Sequence, residues 1–172
     1  MKNVLLSIAA FFFTTSIYTY TIPDTNGEPI AFANFQGKKI LIVNTAGGSE
    51  FVDQYASLEQ LYQIHKDSLV IIVVPSNSFG NEQGTDSTIF QYVTETYGAT
   101  YVISGKAEVK GVNQVPLYHW LTNKSDNGQV GYAIHGDWQK FLIDKNGKII
   151  GVFAPSVDPM SDELQDAIKN VD

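Results

Sequence analysis

The chain alternates between runs of consecutive apolar residues and segments in which apolar positions recur at helical spacing. Residues 37–46, GKKILIVNTA, and residues 68–75, SLVIIVVP, are continuous apolar runs, a pattern typical of strands buried on both faces of a sheet. Between them, residues 53–67 place tyrosines and leucines on one helical face, with Asp53 at the N-cap position. Strand, helix and strand in this order predict a right-handed βαβ unit with two parallel strands.

Two further helical segments are predicted after the second strand. Residues 85–98, TDSTIFQYVTETYG, are expected to form a helix with Thr85 or Asp86 as its N-cap and Gly98 just beyond its end. A short helical turn is expected to follow Pro116.

A hairpin and a terminal helix are predicted near the C-terminus. The hairpin consists of the strand Gln139–Asp144, a Lys-Asn-Gly turn at residues 145–147 and the strand Lys148–Phe153. The last helix is expected to have Asp158 as its N-cap and Pro159 at its first helical position. The residues of this helix that are expected to face the core are Leu164 and Ile168.

The order of these elements predicts the fold class. A βαβ unit followed by a helix, a β-hairpin and a terminal helix is the arrangement of a thioredoxin-like fold, an α/β architecture in which helices flank a central mixed sheet. The 172 residues, of which 44% are hydrophobic, suffice for one domain with a continuous core.

The N-terminus has a pattern of its own. Lys2 precedes the apolar stretch VLLSIAAFFF, and no stop-transfer segment follows. This pattern predicts a signal peptide over residues 1–19, with cleavage between Ser16 and Tyr20, and a mature domain over residues 20–172. We therefore expect an exported protein, periplasmic or extracellular, with no membrane span after cleavage; an uncleaved apolar anchor is the alternative.

Charge and cysteine content exclude several kinds of chemistry. The net charge is −7, and all eleven basic residues are lysines, so the chain has no guanidinium for phosphate recognition and nucleic acid is not an expected partner. The chain has no cysteine, which excludes disulfides, cysteine-bound zinc and thiol chemistry.

Four sequence segments together resemble the glutathione peroxidase family. They are GKKILIVNTAGGSEFVDQYASLEQLYQ, VPSNSFG, VPLYHWL and KFLIDKNGKIIGVFAP, which occur in the family's order over roughly residues 20–170. The resemblance implies a thioredoxin fold and descent from enzymes that reduce hydroperoxides with thiols, as in the response to oxidative stress.

The resemblance also implies where the family's four catalytic residues would lie. The peroxidatic cysteine or selenocysteine corresponds to Ser49, and the glutamine of the family corresponds to Ser78. Counting back from KFLID places the tryptophan at Gly136 and the asparagine at Asp137. All four positions are substituted in this chain.

The substitutions indicate that the family reaction has been lost. A thiolate attacks the peroxide O–O bond and forms a sulfenic acid that a second thiol reduces, whereas a serine hydroxyl has no such oxidation states. Gly136 provides no side chain, and Asp137 would oppose a second negative charge. We therefore expect a catalytically degenerate protein without a cofactor, which binds a protein or small molecule through the former active-site depression or a fold edge. The alternative is hydroperoxide reduction by an unusual route, with glutathione or thioredoxin as partner.

Two other chemistries receive little support from the residues. Ser49 could be a hydrolytic nucleophile, but Gly-Gly-Ser-Glu is not a nucleophile elbow and no histidine is placed by the sequence to act as its base. A polar loop serine that caps the next helix explains it as well. His135 and Asp137 could bind a metal ion, but two ligands are too few for a site, so no metal is expected.

Overall fold

The computed structural model describes residues 14–170. Its strands are β1 Thr21–Pro23, β2 Pro29–Ala31, β3 Lys39–Thr45, β4 Leu69–Pro75, β5 Val102–Ile103, β6 Lys140–Ile143 and β7 Ile149–Phe153. Its α-helices are α1 Gln54–His65, α2 Asp86–Tyr97, α3 Pro116–Thr122, α4 Lys124–Asn127 and α5 Asp162–Asn170. Short 3₁₀ helices span Ile17–Thr19 and Phe32–Phe35.

The central sheet is mixed, as predicted. Its five strands have the order β5-β4-β3-β6-β7, and a separate two-stranded ribbon consists of β1 and β2. Strands β3 and β4 pair in parallel, with Ile40 opposite Val70, and α1 connects them. Strand β6 pairs antiparallel with β3 on one side and with β7 on the other. The predicted βαβ unit and the predicted hairpin are both present.

The sheet separates two hydrophobic clusters because successive side chains of a strand point to opposite faces. Along β3, Ile40 and Ile42 belong to one cluster, whereas Leu41 and Val43 belong to the other. All seven residues of β3 are buried. This double burial explains why the strand appears in the sequence as an uninterrupted apolar run.

The first described residues pack against the domain. Ile17 is fully buried in one hydrophobic cluster. The main chain of Thr15 accepts a hydrogen bond of 2.8 Å from Trp120 Nε1, and its N–H donates one of 2.9 Å to the carbonyl of Asp126. Residues 1–13 of the predicted signal peptide lie outside the described residues, and the predicted boundary at residue 19 stays a prediction. No helix of the described range is long and apolar enough to span a bilayer.

The predicted helix start agrees with the structure for α1 and α2 and is wrong for α5. Thr85 caps α2 through a reciprocal capping box with Thr88, and Gly98 ends the helix with a left-handed φ of 66°. Asp53 immediately precedes α1 as expected, but its side chain makes no cap hydrogen bond. The start of the last helix was predicted wrongly at Asp158.

A local turn displaces the start of α5. Asp158 Oδ1 accepts a hydrogen bond of 2.7 Å from the N–H of Met160, which forms a tight turn around Pro159. The helix begins at Asp162, and Ser161 Oγ lies 3.5 Å from the N–H of Leu164. Leu164 and Ile168 face the core as predicted.

Candidate functional site

Two loops meet at the carboxyl ends of the parallel strands β3 and β4, the edge of an open α/β sheet where ligands commonly bind. The N–H of Gly48 donates a hydrogen bond of 2.9 Å to the carbonyl of Asn81. The N–H of Gly47 donates one of 2.7 Å to Glu82 Oε2, and the N–H of Gly84 donates one of 3.1 Å to Glu82 Oε1. The buried Glu82 carboxylate therefore fastens the loop after β3 to the loop after β4.

A cavity of about 420 Å³ lies beside these loops. Three of the four predicted site positions line it, namely Ser49, Gly136 and Asp137. The fourth position, Ser78, is not among the residues that line it. The remaining lining residues are Glu50, Phe51, Phe79, Asn81, His135 and Pro155.

Ser49 is half-buried and has a local structural role. Its Oγ accepts a hydrogen bond of 3.3 Å from the N–H of Phe51, which stabilises the turn before α1. His135 lines the same cavity, although the sequence placed no histidine near Ser49. Within residues 14–170, no hydrogen bond joins the Ser49 hydroxyl to His135, so the pair lacks the contact that activates a serine nucleophile.

Ser78 holds a neighbouring segment of chain. Its Oγ donates a hydrogen bond of 2.9 Å to Glu108 Oε2 and accepts one of 3.0 Å from the N–H of Val109. It also accepts a hydrogen bond of 3.0 Å from Ser76 Oγ. These contacts turn the Ser78 hydroxyl toward residues 108–109.

Gly136 leaves room in the cavity where the family has an indole. A Cβ atom at this position would come no closer than 3.6 Å to its nearest neighbour, Pro155 Cγ. The Gly136 carbonyl accepts a hydrogen bond of 2.9 Å from Asn44 Nδ2, which anchors this segment to β3. A Cβ atom therefore fits at this position in ordinary van der Waals contact.

Asp137 is the most unusual polar group of the cavity. It is only 5% exposed, and its Oδ2 accepts a hydrogen bond of 2.8 Å from Asn81 Nδ2. Its Oδ1 is buried and has no hydrogen-bond partner in the described part of the chain. Burial raises the pKa of the Asp137 carboxyl, and the charge of Glu82 raises it further, against the opposing effects of Asn81 and Lys110.

Trp138 follows Asp137 in a backbone conformation that no sequence pattern predicts. Trp138 has a φ of 69°, the one positive φ of a residue other than glycine in residues 14–170. Its indole is fully buried, with its ring centroid 4.6 Å from that of Tyr55 and its Nε1 3.3 Å from the Ala46 carbonyl. The buried indole fixes the backbone that carries Asp137 into the cavity wall.

The described range contains no group of three or more histidine, aspartate or glutamate side chains that could hold a metal ion. His135 and Asp137 do line the same cavity, but the His135 ring packs edge-on against Tyr132 with centroids 5.3 Å apart. Two candidate ligands remain too few for a site.

Asp137→Asn is expected to increase the free energy of unfolding at neutral pH by about 1 kcal/mol. The change removes a buried charge and keeps an acceptor for Asn81. Because the folded-state pKa of Asp137 is raised, wild-type stability decreases as the pH rises from the unfolded-state value of about 3.9 through the folded-state pKa. The advantage of the variant should therefore vanish near pH 3, where both side chains are neutral.

Urea unfolding between about pH 3 and pH 8 measures this difference. Asp166→Asn, at an exposed position of α5, is the matched control. A stability difference that does not change with pH would contradict a raised pKa at Asp137.

Comparison with solved structures identifies the fold class. The crystal structure of a thiol:disulfide interchange protein of the thioredoxin family from Chlorobium tepidum has a TM-score of 0.63 at 16% identity and covers 87% of this chain and 90% of its own. The crystal structure of Trgpx in apo form has a TM-score of 0.68 at 33% identity and covers 90% of this chain and 96% of its own. The fold is thioredoxin-like, as predicted.

Sequence comparisons define the family. The family model for glutathione peroxidase matches residues 17–122. The glutathione peroxidase homolog BsaA of Staphylococcus epidermidis is 38% identical over 146 residues, which cover 84% of this chain and 92% of that protein. A glutathione peroxidase of Lactococcus lactis is 34% identical over 158 residues, which cover 91% of this chain and 99% of that protein. The chain belongs to the glutathione peroxidase family and is a divergent member without cysteine.

Proposed function

We propose that this protein is an exported, catalytically degenerate member of the family that acts by binding a ligand in the cavity at Ser49, Gly136 and Asp137. The observation that carries the proposal is the absence of cysteine from all 172 residues. The family reaction needs a sulfur or selenium atom that is oxidised by the peroxide and then reduced, and no side chain of this chain provides one at position 49.

The hydrogen bonds around Ser49 support loss of catalysis. The N–H groups of Gly47, Gly48, Ser49 and Phe51 all donate to acceptors within the chain. These donors are therefore not free to stabilise an anion at position 49. With Asp137 in the same cavity, a developing negative charge would be further disfavoured.

The alternative is that hydroperoxide reduction persists by a route that uses no thiol of this chain, with glutathione or thioredoxin as the reducing partner. The names of the Staphylococcus epidermidis and Lactococcus lactis relatives favour this alternative. A binding role requires neither reductant. The partner would be a protein or a small molecule, and nucleic acid is not an expected partner.

Complementation separates the two functions. Expressed in a bacterial strain that lacks its own peroxidases, this protein is expected to give no protection against hydrogen peroxide or an organic hydroperoxide. The Lactococcus lactis relative serves as the positive control, and immunoblots of the soluble fraction establish equal amounts of protein. Protection by this chain that matches the control would overturn the proposal.

Export is expected to leave Ile17 in the mature protein. Ile17 is fully buried, and loss of its side chain from the core would lower the free energy of unfolding by about 2–4 kcal/mol. Cleavage is therefore expected before Ile17, at the N-terminal limit of the interval between Ser16 and Tyr20 or earlier, and this proposal replaces the boundary after residue 19 that the sequence pattern alone predicts. Intact mass spectrometry of the exported protein measures the new N-terminus. A mature chain that starts at Tyr20, or a protein retained in the cytoplasm, would contradict the expectation.

A further inference from the structure

The cavity offers carboxylate acceptors, and most of the main-chain N–H groups beside Ser49 are already engaged. The neighbouring N–H groups of Gly47, Gly48, Ser49 and Phe51 are engaged within the chain, as described above. The acceptors include the carboxylates of Asp137 in the wall and of Glu50, which is exposed. A ligand that matches this arrangement donates hydrogen bonds and carries positive charge.

The Asp137 carboxylate needs one more donor. One of its oxygens is bonded to Asn81, and the other is buried without a partner in residues 14–170. An unpaired buried carboxylate oxygen is costly, and a charged donor is the partner that compensates it best. Because rotation about χ2 of an aspartate is soft, a small rotation of the whole carboxylate brings this oxygen toward the cavity that Asp137 lines.

The cavity also has aromatic rings, whose faces attract cations. Phe51 and Phe79 both line the cavity. Lys110 Nζ lies 3.9 Å from the centroid of the Phe79 ring, so this ring already has an ammonium group on one face. Within the described residues Lys110 forms no ion pair with Asp137, although its charge lowers the pKa of that carboxyl. Cation–π contacts of this kind add to the attraction of the carboxylates.

We propose that the cavity binds the protonated primary amine of an alkylammonium ligand, with Asp137 as its acceptor, Glu50 as a second negative charge and Phe51 as an aromatic wall. This inference rests on the proposed binding role of the cavity and specifies the chemistry of its ligand. The volume of about 420 Å³ lies within the range of small-molecule sites, about 300–1,000 Å³. The amine belongs either to a free small molecule or to a lysine side chain.

Titration of the purified processed protein with n-butylamine, followed by ¹H–¹⁵N NMR spectra near pH 7.5, tests the proposal. 1-Butanol is the neutral analogue of the same shape, butyrate is the anionic one, and N-acetyl-lysine-methylamide represents a peptide lysine. Butylamine is expected to shift the amide signals of residues 49–51 and 135–137 and to bind at least tenfold more tightly than butanol or butyrate. Tighter binding of the lysine derivative than of butylamine would assign the amine to a peptide.

Two variants test the assigned roles. Asp137→Asn is expected to weaken butylamine binding at least tenfold, and because this variant is expected to be more stable than wild type, unfolding would not explain the loss. Lys110→Met removes a cation whose charge acts on the Asp137 carboxyl and is expected to strengthen binding two- to fivefold. Equal affinity for butylamine and butanol, or unchanged affinity in Asp137→Asn, would overturn the inference.

The butylamine titration and the peroxide experiments test separate claims. If complementation fails as expected and butylamine shifts no cavity signal, the proposed loss of catalysis stands and the ligand inference is wrong. If the protein protects cells from peroxide, the proposed function itself is wrong, whatever the titration shows.

Discussion

Ser49→Cys is expected to convert an unreactive position into one that hydrogen peroxide oxidises. The cavity reaches position 49, and a sulfur atom there would have the oxidation states that the hydroxyl lacks. Wild type is expected to give no sulfenic acid, whereas the variant should form one per chain. Trapping with dimedone followed by intact mass spectrometry measures the difference.

Two double variants test which neighbouring side chains limit the rate at which the thiol of Ser49→Cys is oxidised. Adding Asp137→Asn is expected to accelerate oxidation roughly tenfold, because removal of the neighbouring negative charge lowers the pKa of the thiol and raises its thiolate fraction. Adding Ser78→Gln instead is the matched control and should change the rate little, since Ser78 is bonded to Glu108 and Val109 away from the cavity. A larger acceleration from Ser78→Gln than from Asp137→Asn would contradict this description of the site.

Trp138→Ala is expected to lower the free energy of unfolding by about 4 kcal/mol. The substitution removes a fully buried indole that packs on Tyr55 and donates to the Ala46 carbonyl. It also frees the backbone that holds Asp137 in the cavity wall. Urea unfolding measures the loss.

Trp138→Gly is the control for backbone strain. In regular helices and strands glycine is less stable than alanine, but Trp138 lies in a turn with a φ of 69°, where alanine is strained and glycine is not. Trp138→Gly is therefore expected to be more stable than Trp138→Ala by about 1 kcal/mol. The opposite order would show that the left-handed backbone relaxes when the indole is removed.

Most of the fold was predictable because its buried strands and its capped helix α2 have clear local sequence patterns. The apolar runs of β3 and β4 result from burial on both faces of the sheet, and the helical spacing of α2 coincides with the capping residue Thr85 and the terminating Gly98. The start of α5 was not predictable from such patterns. Asp158 is a suitable N-cap by residue type, but its side chain forms a turn with Met160 instead.

The site was predictable only in part because a cavity depends on contacts between distant segments. The resemblance to the family identified Ser49, Gly136 and Asp137, which the fold brings to one cavity. It also identified Ser78, whose hydroxyl is instead bonded to residues 108–109. Position in a motif does not determine which neighbour a short hydroxyl side chain contacts.

Other features of the site had weak local signals. Asn81 follows the NSFG segment and has no motif role, yet it is the hydrogen-bond partner of Asp137. The sequence presents His135 only as a candidate metal ligand, and the fold places it in the cavity with Ser49. The unusual φ of Trp138 results from tertiary packing of a large indole and has no counterpart in the residue pattern.

Peroxide consumption by the purified wild-type protein tests the loss of catalysis most directly. Hydrogen peroxide is supplied with glutathione or with the thioredoxin system as reductant, and a heat-treated sample gives the background rate. We expect the wild-type rate to equal that background with both reductants. A rate above background that disappears in Ser49→Ala would contradict the account and establish a peroxide chemistry that does not use sulfur.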